Sequence, residues 1–311
     1  MIGKGNAIIT SFYKDCIKIL MSGQDIVIEL LPQWVVNDDV LLKILDSNAR
    51  CVYEKFTKLI LPYRFRVPAI IDGEYAFHIY YKSKTRHNYY IGLNTSNGFP
   101  FCVYNHEVFT IIAEPFEQNK SLFQCLNEEF ASTHNSSTIP YNQFIPKDIV
   151  ELAHKIVKKS FSNYDKVLAI HDWVAENIYY DYDSIEDNSY CTRKNDALSI
   201  LNRRRTVCAG YSELTRTLLR AVGVPAINMD CFALGLMTDG GWSKESNMTD
   251  KANHVITFAY ADDRWIMLDT TWDSDNEYRG GEFQQRSGNG VSHQYFDCTL
   301  AFFSYTHRFI K

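Results

Sequence analysis

The spacing of hydrophobic residues in the second half of the chain predicts three helices followed by strands. Residues 146–157 begin with a proline, which suits the first turn of a helix, and place apolar residues at helical spacing. A second apolar stripe covers 167–178, after a capping residue at Ser162 or Asn163. The third helix covers 208–223, where a glycine ends it. The runs that then predict strands are 226–234, 254–260 and 265–271.

The first half of the chain mixes short alternating runs with segments of helical spacing. Residues 37–56 predict one or two helices, with Leu41, Leu42 and Leu45 on one side. Alternating runs around a polar turn predict a pair of strands, and a further strand is predicted nearby; the three runs are 75–81, 87–93 and 108–113. We therefore expect a small α+β domain here, in which the pattern shows no catalytic constellation.

The chain of 311 residues is longer than one hydrophobic core usually organises, so two domains are expected. The stretch 132–140 is polar and ends in proline, which is typical of a linker. This predicts an N-terminal α+β domain of unknown role at 1–140 and a second domain at 141–311.

Composition and charge exclude several classes of function. Apolar residues make up 46% and charged residues 22%, which is typical of a globular protein, and the net charge of −5 favours neither nucleic acid nor an anionic membrane. No stretch reaches the about 20 apolar residues of a membrane span, and the first residues lack a signal-peptide core. The compartment stays open, with a secreted or cell-surface location compatible if a signal was removed, and the oligomeric state stays open too. Three N-x-S/T sequons, at Asn94, Asn135 and Asn247, have meaning only in a eukaryotic secretory setting.

Cys208 differs from the other cysteines by its position at the predicted start of a helix. The eight cysteines form no CxxC pair and are spread thinly, so neither a zinc cluster nor a disulfide scaffold is indicated. Backbone N–H groups and the positive end of the helix dipole favour a thiolate at this position, and the thiolate is the nucleophilic form. For the other seven cysteines, a buried structural role is the simpler interpretation.

A predicted hairpin downstream supplies a histidine and a carboxylate. If Tyr260 pairs with Trp265 across the acidic turn, His254 lies opposite Thr271, and Asp269 is its diagonal neighbour on the same face. A carboxylate beside an imidazole fixes the tautomer and stabilises the charged ring. Cys208, His254 and Asp269 are therefore the candidate catalytic residues.

Three motifs around these residues resemble those of the transglutaminase-like superfamily, in particular its bacterial branch of cysteine proteases. They are TVCAGYS at 206–212, NHVI at 253–256 and RWIMLDTTWD at 264–273. The resemblance covers about 146–311. The sequence departs from the family at Val255, where alanine is usual, and at Thr270, where many members have proline. Neither change removes a catalytic atom.

The resemblance implies an α+β fold with a papain-like core, in which a central helix bearing Cys208 packs on an antiparallel sheet. It implies a thioester mechanism on protein or peptide substrates, with Asp269 orienting His254. Hydrolysis is favoured over cross-linking of glutamine to lysine, and a non-catalytic binding module is a third alternative. The sequence predicts no cofactor. The backbone N–H of Cys208, with Tyr180 or Tyr182, is the expected oxyanion site.

Other polar residues receive simpler interpretations. His171 is predicted to be a packed or surface histidine, and 203–205 a solvated basic face. Calcium is not expected at the acidic residues Asp273, Asp275 and Glu277, because the spacing of a dedicated calcium loop is missing.

Overall fold

A computed structural model describes residues 3–14, 17–36, 39–68, 70–93, 98–134, 145–235, 242 and 252–309. The three sequons, Cys16 and most of the predicted linker lie outside these described residues. The chain divides into two compact units, of which the first comprises 1–119, 233–248 and 299–308, and the second comprises 120–232, 249–298 and 309–311. The predicted boundary near residue 140 stays a prediction.

The first unit consists mainly of antiparallel strands. One sheet has the order β1-β11-β10-β8-β5-β6, with β9 on β8, and the other has the order β2-β3-β4-β7. The elements are β1 Gly3–Gly5, β2 Ala7–Ile9, β3 Lys18–Ser22, β4 Asp25–Leu30, α1 Gln33–Val36, β5 Asp39–Asp46, β6 Cys51–Lys58, β7 Tyr63–Arg66, β8 Gly73–Lys82, β9 Tyr90–Gly92, β10 Phe99–Tyr104 and β11 Glu107–Ile112.

The prediction of helices at 37–56 is wrong in the part of that range that is described. These residues form β5 and β6, and β5 pairs with β8 on its other side. Val40, Leu42 and Ile44 are fully buried on one face of β5. A short apolar run fits a helix or a buried strand equally well, and pairing on both edges decides for the strand. The strands predicted at 75–81 and 108–113 are confirmed as β8 and β11. The strand predicted at 87–93 is shorter, because residues 87–88 form a turn and only 90–92 pair as β9.

The helices of the second unit follow the apolar stripes predicted from the sequence. Ser162 caps its helix, with its hydroxyl accepting from the N–H of Asp165 at 3.0 Å. The remaining helices of the described residues are α2 Pro115–His134, α3 Lys147–Ile156, α4 Asn163–Asn177, α5 Tyr182–Glu186, α6 Ala197–Arg203, α7 Cys208–Ala221, α8 Thr270–Asp273 and α9 Leu300–Phe303. Of these, α9 belongs to the first unit, and α2 begins there. None of the helices in the described ranges is long and apolar enough to cross a membrane.

Two sheets accompany these helices. In one, β12 lies parallel between β13 and β17, and β18 pairs with β17. In the other, β14, β15 and β16 are antiparallel neighbours. The strands are β12 Tyr179–Asp181, β13 Arg205–Thr206, β14 Ala226–Ala233, β15 His254–Ala261, β16 Arg264–Leu268, β17 Asn276–Arg279 and β18 Glu282–Gln285, and β19 His307–Phe309 ends the chain's described part.

Helix α7 packs on β15, which confirms the predicted core of a cysteine-bearing helix against an antiparallel sheet. The hydroxyl of Ser212 donates to the carbonyl of Val255 at 2.9 Å, and buried Tyr211 donates to the carbonyl of Ile178 at 2.7 Å. The first bond fixes the N-terminal part of α7 to the start of β15, and the second fixes it to the end of α4. The fold class of the chain is α+β.

The β15–β16 hairpin has the predicted register. Tyr260 pairs with Trp265, and the two-residue turn Asp262-Asp263 has positive φ at both positions, as a type I′ turn requires. The predicted strand to Thr271 is wrong at its end, because β16 stops at Leu268 and the chain turns into α8.

Candidate active site

Cys208 is the first residue of α7 and its side chain is partly exposed. Its sulfur lies 4.0 Å from the carbonyl oxygen of Asn253, the residue before β15. Gly210 allows this helix start to approach β13 closely, because a Cβ there would lie 2.0 Å from Oγ1 of Thr206. The glycine of the TVCAGYS motif therefore has a packing reason beside the cysteine.

His254 and Asp269 are held at neighbouring ends of the hairpin strands. His254 begins β15, and Asp269 follows the last residue of β16, where its N–H donates to the carbonyl of Tyr295 at 3.1 Å. The Nε2 atom of His254 lies 2.6 Å from Oδ2 of Asp269. The other oxygen, Oδ1, accepts from the N–H of Trp272 at 3.1 Å and caps α8.

The buried imidazole of His254 has acidic partners on both sides. Burial alone lowers its pKa, but the charge of Asp269, its hydrogen bond and the side chain of Cys208 outweigh burial and raise the pKa to about 10. Because Nε2 is bonded to Asp269, Nδ1 is the nitrogen that faces the thiol. The structure thus brings Cys208, His254 and Asp269 together, with the ring stabilised in its charged form between the other two. Their catalytic roles stay a prediction.

The other cysteines of the described residues are free thiols as well. Cys231 pairs with His254 across β14 and β15, but burial raises its pKa well above the usual value. Burial does the same to the pKa of Cys298. These two thiols are held in the neutral form, which is not the nucleophilic one.

The family model that matches the chain covers residues 150–270, from α3 to the first residue of α8, and includes all three candidate residues. Residues 150–270 belong to the transglutaminase-like superfamily.

Two similar proteins are kyphoscoliosis peptidases. The mouse protein is 25% identical over 124 residues and the human protein is 24% identical over 124 residues. In each comparison the match covers 40% of this chain and 18% of the relative, so this chain spans less than a fifth of those proteins.

Two solved structures also resemble the chain. A candidate cysteine protease from Cytophaga hutchinsonii has 22% identity and a TM-score of 0.33, covering 53% of this chain and 50% of that one. A candidate protease from Parabacteroides distasonis has 11% identity and a TM-score of 0.28, covering 74% of this chain and 37% of that one.

Tyr180 and Tyr182 are the two tyrosines that were predicted as oxyanion partners beside Cys208. Burial and the nearby Cys208 side chain both raise the pKa of Tyr180, so its hydroxyl stays protonated. The ring of Tyr182 lies 5.0 Å from that of Tyr180 and stacks under the guanidinium of Arg279 at 4.0 Å. The charge of Cys208 thus acts on the hydroxyl of Tyr180, which is one of the two expected oxyanion partners.

Buried Asp181 anchors the strand between these tyrosines. It forms ion pairs with Arg193 and Arg205, and its Oδ1 accepts from the N–H of Ser184 at 3.1 Å. The prediction of a solvated basic face at 203–205 is therefore wrong for Arg205. It is also wrong for Arg203, which is half-buried. Its guanidinium donates to the carbonyls of Arg205 and Lys194 and to the side chains of Asn195 and Thr206.

A second cluster, which sequence reasoning missed, surrounds His171. His171 was predicted to be a packed or surface histidine, and it is fully buried. Both of its ring nitrogens have carboxylate partners: Nδ1 lies 3.0 Å from Oδ1 of Asp172, and Nε2 lies 3.1 Å from Oδ2 of Asp273. Burial lowers the pKa of His171, but these hydrogen bonds outweigh it and raise the pKa to about 9. His293 joins through Nε2, 2.8 Å from Oδ1 of Asp172. The HDW run at 171–173 was the available sequence signal.

The three acidic residues considered for calcium make separate internal contacts. Asp273 bonds to His171, whereas Asp275 accepts from the N–H groups of Ser287 and Gly288 at 2.8 and 2.7 Å. Glu277 bonds to Gln284 at 3.1 Å. Their carboxylates do not converge on one point.

Proposed function

We propose that the transglutaminase-like domain catalyses acyl transfer on protein or peptide substrates through a thioester on Cys208. The observation that supports this most is the His254 ring, which is bonded to Asp269 on one nitrogen and faces the Cys208 thiol with the other. An imidazole oriented by a carboxylate and adjacent to a thiol is the arrangement that activates a cysteine nucleophile.

In the proposed reaction, the Cys208 thiolate attacks a carbonyl carbon of the substrate and forms a carbon–sulfur bond. The carbonyl oxygen gains the negative charge. When that intermediate collapses, the bond to the leaving amine breaks, and the His254 imidazolium gives its proton to the amine. The product of this half-reaction is a thioester, and Asp269 stabilises and orients the ring throughout.

The oxyanion needs donors near Cys208. The backbone N–H of Cys208, at the start of α7, is one, because the first N–H groups of a helix have no partner within the helix. Tyr180 is the proposed second donor, since its pKa is raised by burial and by Cys208 and its hydroxyl is therefore protonated. Asp181, through Arg193 and Arg205, holds the backbone beside this tyrosine.

We further propose that water completes the reaction. His254 removes a proton from the water, which attacks the thioester and releases the acid and the thiolate. Cys208 is partly exposed, so water reaches the thioester unless an amine site excludes it. The name peptidase given to the two kyphoscoliosis proteins agrees with hydrolysis. Transfer to a lysine amine, which shares the thioester step, is the alternative outcome.

The first experiment tests the nucleophile without a known substrate. The purified chain is treated with iodoacetamide at pH 6, and alkylation at each cysteine is followed by peptide mass spectrometry. We expect Cys208 to react much faster than the exposed Cys51, Cys125 and Cys191, which serve as internal controls. In His254→Ala, the alkylation rate should fall at Cys208 only. Equal rates at all four cysteines would favour a non-catalytic binding module instead.

The second experiment identifies the product. A proteome is incubated with the chain or with Cys208→Ala, then analysed for new N-termini and for incorporation of a biotinylated primary amine. New N-termini or glutamine deamidation that depend on Cys208 indicate hydrolysis. Amine incorporation would instead indicate cross-linking. If neither product is found, the result would argue against an enzyme.

A further inference from the structure

The residues His171, Asp172 and His293 form a histidine–aspartate cluster apart from the Cys208 site. His171 and Asp172 lie on α4, and His293 lies in the segment after β18. One carboxylate oxygen, Oδ1 of Asp172, is 3.0 Å from Nδ1 of His171 and 2.8 Å from Nε2 of His293. Two imidazoles therefore converge on one carboxylate from parts of the chain that are 121 residues apart.

The separations within this cluster suit a small metal ion. One nitrogen or oxygen from each residue lies within 4.8 Å of the others. Bonds of about 2.1 Å in a tetrahedral zinc site place neighbouring ligand atoms about 3.4 Å apart. The two contacts of 3.0 and 2.8 Å therefore need to open by only about half an ångström. The Asp172 side chain is 34% exposed and has room for that shift.

Asp273 supplies the supporting contact that a metal-binding histidine needs. Its buried carboxylate lies 3.1 Å from Nε2 of His171. The N–H of Tyr295 donates to both oxygens of that carboxylate, at 3.1 and 3.2 Å, which fixes its orientation. A histidine whose Nε2–H donates a hydrogen bond to a carboxylate keeps the lone pair of Nδ1 for a metal, and such pairs are the usual support of zinc ligands.

The chemistry of the donors selects the class of ion. Two imidazoles and one carboxylate suit zinc and its neighbours among the divalent transition metals, whereas calcium and magnesium prefer oxygen alone. The side chains of Asp172 and His293 are 34% and 19% exposed, so an ion can enter from solvent and keep water in a fourth position.

We propose that this cluster binds one divalent transition-metal ion, with zinc the best fit, through Nδ1 of His171, a carboxylate oxygen of Asp172 and Nε2 of His293. The ion would join α4 to the segment that contains His293. Through Asp273, it would also strengthen the link to α8, the helix whose N-terminus is capped by Asp269. Binding should therefore raise the thermal stability of the second unit.

The test uses the full chain carrying Cys208→Ser, which removes the thiol as a competing ligand. After treatment with a chelator, the protein is titrated with Zn²⁺ against a chromophoric chelator, and Co²⁺ is added separately to record its absorption spectrum. We expect one equivalent of Zn²⁺, the intense visible bands of tetrahedral Co²⁺, and a higher midpoint of thermal unfolding with Zn²⁺.

Variants assign the ion to the cluster. Asp172→Asn and His293→Gln should each weaken Zn²⁺ binding by tenfold or more and abolish the Co²⁺ bands. Asp273→Asn, which alters only the supporting contact, should weaken binding by about 10–100-fold. The matched control is His154→Gln, a change at an exposed histidine of α3 that should leave binding unchanged.

Circular dichroism of the metal-free proteins separates loss of the site from loss of the fold. A folded His293→Gln or Asp172→Asn variant that binds Zn²⁺ like its parent would overturn the proposal. So would a parent chain that binds no Zn²⁺ at micromolar concentrations, since the cluster would then be an ion-pair network only. If both variants unfold, the proposal is tested by comparing the Co²⁺ spectrum and the Zn²⁺ stoichiometry of Asp273→Asn with those of the parent. These readouts do not depend on enzymatic activity.

Discussion

The two oxygens of the Asp269 carboxylate have separate partners, of which one is His254. Oδ2 lies 2.6 Å from Nε2 of His254, and Oδ1 accepts from the N–H of Trp272 and so caps α8. The same residue therefore orients the imidazole and begins the next helix. Because its backbone N–H is also bonded, to Tyr295, the carboxylate has little freedom to turn away from the ring.

Replacing Asp269 by Asn should keep this geometry and remove the charge, because an asparagine oxygen can still cap α8. Turnover should fall, by up to the order of 10⁴ seen in serine enzymes and by less if the thiolate–imidazolium pair exists at rest. Burial lowers the pKa of His254, but the charge of Asp269, its hydrogen bond and the Cys208 side chain together raise that pKa to about 10. Without the Asp269 charge the pKa should be lower, so the variant should lose activity at a lower alkaline pH. A pH–rate profile tests this, with Asp262→Asn in the exposed turn as control. Unchanged turnover in Asp269→Asn would show that Asp269 is not one of the catalytic residues.

Cys208→Ala and His254→Ala should each abolish activity, because both residues act in the formation of one thioester. The double variant should lose little more than either single variant. Rates on a substrate found by the proteome experiment measure this coupling, and thermal unfolding checks that each variant is folded. If the fold-losses in rate of the two single variants multiply in the double variant, the two residues contribute independently.

Tyr180→Phe should lower turnover by about 10²–10³-fold if its hydroxyl donates to the oxyanion. Alkylation of Cys208 by iodoacetamide forms no oxyanion, so its rate should stay near that of the parent. Tyr182→Phe is the matched control, since the ring of Tyr182 faces Arg279 and Tyr180. Equal losses of turnover in both variants would argue against a specific role for Tyr180.

Gly210→Ala should destabilise the protein although alanine favours helices. The helix preference gains about 1 kcal/mol. The new Cβ would lie 2.0 Å from Oγ1 of Thr206, and overpacking of that kind costs about 1–3 kcal/mol. We expect a net loss of up to about 2 kcal/mol in urea unfolding and slower alkylation of Cys208. Gly235→Ala, where no atom lies within 4 Å of the added Cβ, is the control. A Gly210→Ala variant as stable as the parent would mean that β13 shifts to make room for the added methyl group.

Limited proteolysis should cut first within 132–145, because this polar stretch carries the predicted linker between domains. The positions of the earliest cuts, read from the masses of the fragments, test the boundary. First cuts inside 150–230 would show that the domain division is wrong.

Local signals in the sequence were sufficient for the helix at Cys208 and for the hairpin. The capping and stop signals of a helix lie within a few residues, and the Asp262-Asp263 turn sets the pairing of Tyr260 with Trp265. Such features depend on short-range backbone preferences, so they can be predicted from one sequence. The approach of Asp269 to His254 followed from them, although α8 replaces the end of the predicted strand.

The tertiary structure alone decided the elements that depend on distant partners. The apolar run in β5 became a strand because β6 and β8 pair with its two edges, which no local pattern specifies. The cluster around His171 likewise needs Asp273 and His293, which lie 102 and more residues away along the chain. Sequence spacing carries the hydrophobic pattern of each element, whereas the contacts of a buried polar residue depend on which elements pack together.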